Sequence, residues 1–268
     1  MVIAATATLS TAKNNSILYN GPFEETFPQM RKDGFRAVEL HILDSRKLNR
    51  EVLYRLLREN ELTLTSIGTG SVYFDRGYSL TDPDAFVRRA CIDHMREHMI
   101  TAMPYGGVII IGCVQGRIGR AMTESDFRSR MTESLLQLDK LAGVYGVKIG
   151  FEIMNRFESD MFRTIDETLP YFKDCGFAHT VMHIDTVHLN IEEADIGKAI
   201  RLGANWIGHV HVADNDRWYP GHAHYNFAET FSALHDIGYK GALALETRPL
   251  PDSSYAGKRS LEFLNTFL

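Results

Sequence analysis

The chain has 268 residues, 44% hydrophobic and 24% charged, with a formal net charge of −5. This composition suits a soluble protein with a sizeable core, and the length fits one large α/β domain. The acidic balance argues against DNA or RNA as a partner, which would need clustered Lys and Arg. No run approaches the roughly 18 to 20 apolar residues of a membrane span.

In chain order, short apolar runs predict strands at 2–9, 36–42, 62–68, 107–113, 147–153, 180–185, 206–213 and 241–247. Helical periodicity fills 23–33, 47–60, 83–103, 123–145, 164–175, 193–202, 227–237 and 254–267. The opening stretch lacks the basic start and long apolar run of a signal peptide, so it reads as a first strand. No glycine-rich phosphate fingerprint follows it, which weakens the fallback of an open, dinucleotide-binding sheet. Thr81-Asp82-Pro83 has the capping side chain and early proline of a helix start. Gly34, Gly146, Gly176 and Gly238 each end a periodic stretch, as C-terminal caps do. Cys91, Cys113 and Cys175 form no CxxC or zinc-type pair, so they read as reduced thiols in a cytoplasmic protein. No linker or charge block divides the chain. The alternation of strand and helix predicts a single (β/α)₈ TIM-barrel domain over 1–268.

In such a barrel the active site lies at the C-terminal ends of the strands. Glu152 interrupts the fifth apolar run near its end, Asp185 the sixth, His211 the seventh and Glu246 the eighth, about one ligand-type side chain per βα unit. Three carboxylates and one imidazole suit a hard divalent ion, Mn²⁺ first, with Mg²⁺ or Co²⁺ as alternatives, better than a structural zinc. Any one of the four could be an ordinary paired carboxylate or core histidine; the matched depth of all four argues for a metal site. Metal chelation by a ketone and the neighbouring hydroxyl would acidify the carbon-bound proton between them. Glu152 and Glu246, two strands apart, could exchange that proton from opposite faces and invert the carbon. His209, alternating with His211, reads as a deeper histidine, and His183 as a deeper partner of Asp185. His188, in the loop after Asp185, with Glu158 and Arg217, are candidate substrate contacts or plain loop charges.

Glu152-Ile-Met-Asn-Arg-Phe-Glu158, Asp185-Thr-Val-His-Leu-Asn-Ile-Glu-Glu193, Gly208-His-Val-His211, Asp214-Asn-Asp-Arg217 and Ile237-Gly-Tyr-Lys-Gly241 before Glu246 form an ordered set. With it, the chain resembles the D-tagatose/D-psicose (D-allulose) 3-epimerase group of the xylose-isomerase-like barrels. Ile67-Gly-Thr-Gly70, Ser79-Leu-Thr-Asp-Pro83, Ile109-Ile-Ile-Gly112 and Gly116-Arg117 resemble the branch containing 5-keto-L-gluconate epimerase. The resemblance implies metal binding by Glu152, Asp185, His211 and Glu246, and C3 proton exchange by the two glutamates. It further implies that Glu158, His188 and Arg217 hold a small ketose or keto sugar acid. A homo-oligomer, dimer or tetramer, is expected. Where the group commonly shows Pro-Gly-x-Gly, this chain reads Pro220-Gly-His-Ala-His224; the β-carbon of Ala223 restricts that loop. His224, like Arg248 just past Glu246, is a weaker candidate for substrate contact.

The same site could serve aldose–ketose isomerisation or loss of water from a keto-polyol. A hydrolase of the AP-endonuclease type would need more metal-binding histidines and a basic groove. A non-catalytic sugar-binding subunit would not need both Glu152 and Glu246.

Overall fold

In the computed structural model, which describes residues 1–9, 16–119 and 122–268, β1 (Val2–Thr8) carries a two-residue β2 (Tyr19–Asn20) on its edge. The chain continues through α1 (Phe23–Asp33), β3 (Ala37–His41), α2 (Arg50–Glu59) and β4 (Thr63–Gly68). The short α3 (Gly70–Arg76) and the long α4 (Ala85–Ala102) precede β5 (Val108–Ile111), α5 (Glu124–Tyr145), β6 (Lys148–Glu152) and α6 (Ile165–Cys175). Then come β7 (Thr180–Asp185), α7 (Thr186–Glu192), α8 (Ile196–Leu202), β8 (Ile207–His211), α9 (Phe227–Asp236), β9 (Ala242–Leu245) and α10 (Ser253–Leu264). Every strand pairing is parallel. β9 returns to β1, with Val2–Ala5 opposite Ala242–Leu245, and β2 takes over that edge at Ala7 and Thr8. Leaving β2 aside, eight strands close the ring, which is the predicted (β/α)₈ barrel.

Strands buried on both faces read as continuous apolar runs, and Val108–Ile111 is the clearest case. Helix starts are capped by side chains: Asn49, Asp84, Thr123, Thr164, Asp195, Asn226 and Asp252 each accept a backbone N–H of the first turn. Gly34, Gly146 and Gly176 end their helices at φ of 111°, 64° and 60°, as predicted.

Most element ends move by one to three residues, and four differences from the sequence reading are larger or have a local cause. α4 starts at Ala85, capped by Asp84, because Thr81 Oγ1 instead donates to Gln115 O (2.6 Å). The 193–202 helix shortens to α8, behind a separate α7. The last strand stops at Leu245, where Glu246 N turns back to Ala244 O (3.1 Å). α3 was not anticipated: seven residues carry too little periodicity to register.

Asp33 joins the ends of the barrel. Buried at the end of α1, it accepts from Tyr19 (2.8 Å), Gln29 (3.0 Å) and Ser254 (2.7 Å) and pairs with Lys258 (3.2 Å), tying β2 and α10 to α1. Burial pushes its carboxyl up, but Ser254, Tyr19, Gln29 and Lys258 together hold it below the ordinary aspartate value. A depressed folded-state value gives stability that is present above the unfolded value and lost as pH falls through the folded one. Asp33→Ala is therefore expected to cost about 1–3 kcal/mol in urea unfolding at neutral pH. The gap from the unsubstituted protein should narrow below pH of about 4.

Candidate metal centre

Strand ends set the site. Glu152, Asp185 and His211 are the last residues of β6, β7 and β8, and Glu246 directly follows β9. Asp185 and His211 sit opposite each other in the ladder. The four predicted residues therefore converge on one end of the barrel. Asp185, His211 and Glu246 offer ligand atoms all within 4.8 Å of one another; Glu152 joins through overlapping sets with His183 and His211 and with Asp185 and His188. His211 Nδ1 lies 3.7 Å from Asp185 Oδ2 and 3.6 Å from Glu246 Oε2. Buried and without a hydrogen-bond partner among the described residues, it faces two carboxylates. A hard divalent ion fits this donor set, since in place of a proton it would give Nδ1 the partner that the fold does not supply.

Local features aim these atoms. A Cβ on Gly112 would lie 2.2 Å from Glu152 Oε2, so only glycine leaves room for that carboxylate. Gln115 Nε2 donates to Glu152 O (2.8 Å) and Ile111 O (2.9 Å), clamping the end of β6 to β5. Asp185 divides its oxygens: Oδ1 caps α7 by accepting from Val187 N (2.7 Å), leaving Oδ2 for the site.

The charges are strongly interdependent. Burial, with the Glu246 charge adding to it, pushes the Glu152 carboxyl above its usual value, although His188 and His211 oppose this. Burial also works to raise Glu246, but Arg217 and His211 bring it below its usual value. Asp185 is likewise buried, and Arg217 and His188 hold it well below the carboxylate range. Burial disfavours a charge on His211, yet Glu39 and Glu246 hold its value well above that of free histidine. The half-buried Cys113 thiol is pushed up to about 12 by its surroundings and by the charges of Glu152, Glu158 and Glu246, which disfavours the thiolate.

Among the candidate substrate contacts, Arg217 and His188 enter the site. Arg217 Nη1 donates to both Asp185 Oδ2 (2.6 Å) and Glu246 Oε2 (2.7 Å). Its φ of 64° is a left-handed conformation that a non-glycine residue adopts at a cost. Asp214 supports that turn: its backbone O accepts from Arg217 N (2.9 Å), and its carboxylate accepts from Gly221 N, Ala223 N and Tyr225 N. Ala223 sits in this loop without a left-handed φ, so its β-carbon is accommodated. His188 lies in the first turn of α7, not in a loop; its Nε2 is 3.4 Å from Glu152 Oε1 and its Nδ1 meets Asn155 Nδ2 (2.7 Å). Glu158 is exposed at the rim, 3.4 Å from Asn155 Nδ2. His224 and Arg248 are exposed; His224 meets Asn215 Nδ2 (3.2 Å), and Arg248 N donates to Arg217 O (2.7 Å).

Two deeper histidines need comment. His209 is buried as predicted. His183 is buried too, but its nearest carboxylate contact is Glu152 Oε1 at 3.7 Å, and its ring packs against His211 with centroids 4.1 Å apart. Asp185 uses its oxygens elsewhere. Sequence reasoning missed Glu39, Gln115, Asn155 and Asp214. The signal for Glu39 was there: a charged residue in the middle of an apolar strand, Ala37-Val-Glu-Leu-His41.

Gly112→Ala is expected to leave the protein folded but less stable, because the clash falls on one carboxylate, Glu152, and the backbone at Gly112 (φ −99°, ψ −112°) lies outside the regions open to alanine. It should weaken Mn²⁺ binding by about 10-fold or more, as displaced carboxylates do. Titration calorimetry with unfolding on the same protein checks both.

The chain matches the xylose isomerase-like TIM barrel family over residues 27–266. The L-ribulose 3-epimerase of Mesorhizobium japonicum is 30% identical over 226 residues, covering 84% of this chain and 75% of the relative. The 3-dehydro-D-guloside 4-epimerase of Escherichia coli is 31% identical over 140 residues, covering 52% of this chain and 53% of that enzyme. A solved L-ribulose 3-epimerase superposes with a TM-score of 0.83 at 24% identity, covering 99% of this chain and 94% of the other; that likeness speaks for the fold. The chain belongs to the xylose isomerase-like TIM-barrel family and is a sugar epimerase of its D-tagatose/D-psicose 3-epimerase-like group.

Proposed function

We propose that the protein inverts C3 of a ketose or keto sugar acid through a cis-enediolate, with Glu152 and Glu246 as the acid–base pair. Glu152, Asp185, His211 and Glu246 would hold one divalent ion, Mn²⁺ first. One observation carries the reading: the unpartnered Nδ1 of His211 faces Asp185 Oδ2 and Glu246 Oε2, with Glu152 alongside. When bound, the ion supplies Lewis acidity toward a ketone and its neighbouring hydroxyl.

The side chains account for the rest. Glu152 and Glu246, from β6 and the end of β9, flank the barrel mouth, so one can take the carbon-bound proton and the other return one to the opposite face. Once freed from its two carboxylate partners, Arg217 offers guanidinium N–H donors to the oxygens of the developing enediolate. His188, braced by Asn155, presents Nε2 beside Glu152 as a donor to a substrate hydroxyl. Glu158 would accept from a hydroxyl near the carbonyl end, and His224 and Arg248 would meet the tail. We place the enzyme in the cytoplasm as a homo-oligomeric, single-domain protein. No helix among the described residues is long and apolar enough to cross a membrane.

The Escherichia coli relative, by its name a 4-epimerase acting beside a 3-keto group, favours a second reading in which the inverted carbon is C4. The proton chemistry is the same, and only the register of the sugar differs. NMR in heavy water with a panel of ketoses and 3-keto sugars separates the two by the carbon that gains deuterium. Glu152→Gln is expected to lower turnover by about 10²–10⁴-fold with an unchanged circular dichroism spectrum. Chelation should abolish activity, and added Mn²⁺ should restore it. Full turnover in either the variant or the stripped protein contradicts the mechanism.

A further inference from the structure

Glu39 lies on β3, fully buried inside the barrel, and the reaction described above does not use it. Its oxygens are nevertheless fully engaged. Oε1 accepts from His41 Nε2 and His211 Nε2, both at 2.9 Å; Oε2 accepts from His209 Nε2 at 2.9 Å and Ser66 Oγ at 2.5 Å. The donors come from β3, β4 and β8, so the contact spans the lumen. Glu39, His209 and His211 also lie close enough together to suggest a metal site of their own. Their facing atoms are already spent on hydrogen bonds, which makes the cluster a hydrogen-bond node.

An ionised carboxylate has no hydrogen to donate and about four lone-pair directions. All four are taken here, so each of the three imidazoles must carry a proton on Nε2. For His211 the other nitrogen is Nδ1, the atom that faces Asp185 Oδ2 and Glu246 Oε2. Deep in a barrel, an apolar side chain would fill the same layer without the desolvation cost of a carboxylate. What Glu39 adds is control of the ring on β8.

We propose that Glu39 is a positioning residue for the metal centre, locking His211 in the Nε2–H tautomer and the ring orientation that deliver its Nδ1 lone pair to the ion. The proposal rests on the reading of His211 as a metal ligand. Glutamine in place of Glu39 has the same outline but turns one acceptor into an NH₂ donor. The NH₂ would face His41 and His211 in the place of Oε1, or His209 and Ser66 in the place of Oε2. In either placement the negative charge that draws the His211 proton to Nε2, and so leaves Nδ1 bare, is lost.

The experiment is Mn²⁺ titration calorimetry on the full chain, with Glu39→Gln and Ser66→Ala beside the unsubstituted protein and thermal unfolding as the check on folding. Glu39→Gln is expected to weaken Mn²⁺ binding by about 10- to 100-fold. Ser66→Ala, which removes one donor and leaves the carboxylate, should lose much less. Unchanged affinity in Glu39→Gln, or an equal loss in Ser66→Ala, overturns the proposal. If the unsubstituted protein binds no Mn²⁺, the metal-centre reading itself fails. Should Glu39→Gln not fold, ¹⁵N-histidine NMR of the unsubstituted, Mg²⁺-loaded protein decides. The proposal expects His211 protonated at Nε2 and bare at Nδ1, and the reverse pattern overturns it.

Discussion

Three carboxylates are held together where little water reaches them, and this is the constraint on which the site depends. Glu152, Asp185 and Glu246 cannot remain ionised at such range unless positive charge lies among them. In the structure that charge is Arg217, which touches two of the three, with His211 beside it. A divalent ion would answer the same demand with more charge in less space. The guanidinium would then be released toward a substrate.

Keeping the charges in place falls largely to atoms that face away from the site. Asp185 caps α7 with one oxygen and turns the other inward. His211 gives one nitrogen to Glu39 and keeps the other for the centre. Glu152 is held through its backbone carbonyl by Gln115, and Arg217 through its own N–H by Asp214. Each of these groups has one contact that belongs to the fold and another that belongs to the chemistry. Such dual use explains why glycine at Gly112 and a left-handed backbone at Arg217 are tolerated. Moving either would shift a charged atom by more than a metal site permits.

The strands and longer helices follow a pattern that repeats locally, and here the sequence was readable. The periodicity of two and of 3.6 residues marked strands and helices, and the glycines at 34, 146 and 176 marked where helices stop. The rim residues Glu152, Asp185, His211 and Glu246 were legible for the same reason: each is a polar break at one depth in successive apolar runs. Short elements such as α3 and α7 escaped because seven residues hold barely two helical turns. His188 was consequently read as a loop residue.

The amino-acid order by itself determined the eight strands of the barrel, though not the two-residue β2 on its edge, their alternation with helices, and which side chains reach the C-terminal rim. All of these depend on neighbours within a turn or a strand. Only the tertiary structure decided that Glu39 meets His211 across the lumen, that Arg217 bridges Asp185 and Glu246, and that His183 packs on His211 and not on Asp185. Such contacts join residues far apart in the chain. They depend on barrel closure and strand register, quantities that no local periodicity encodes.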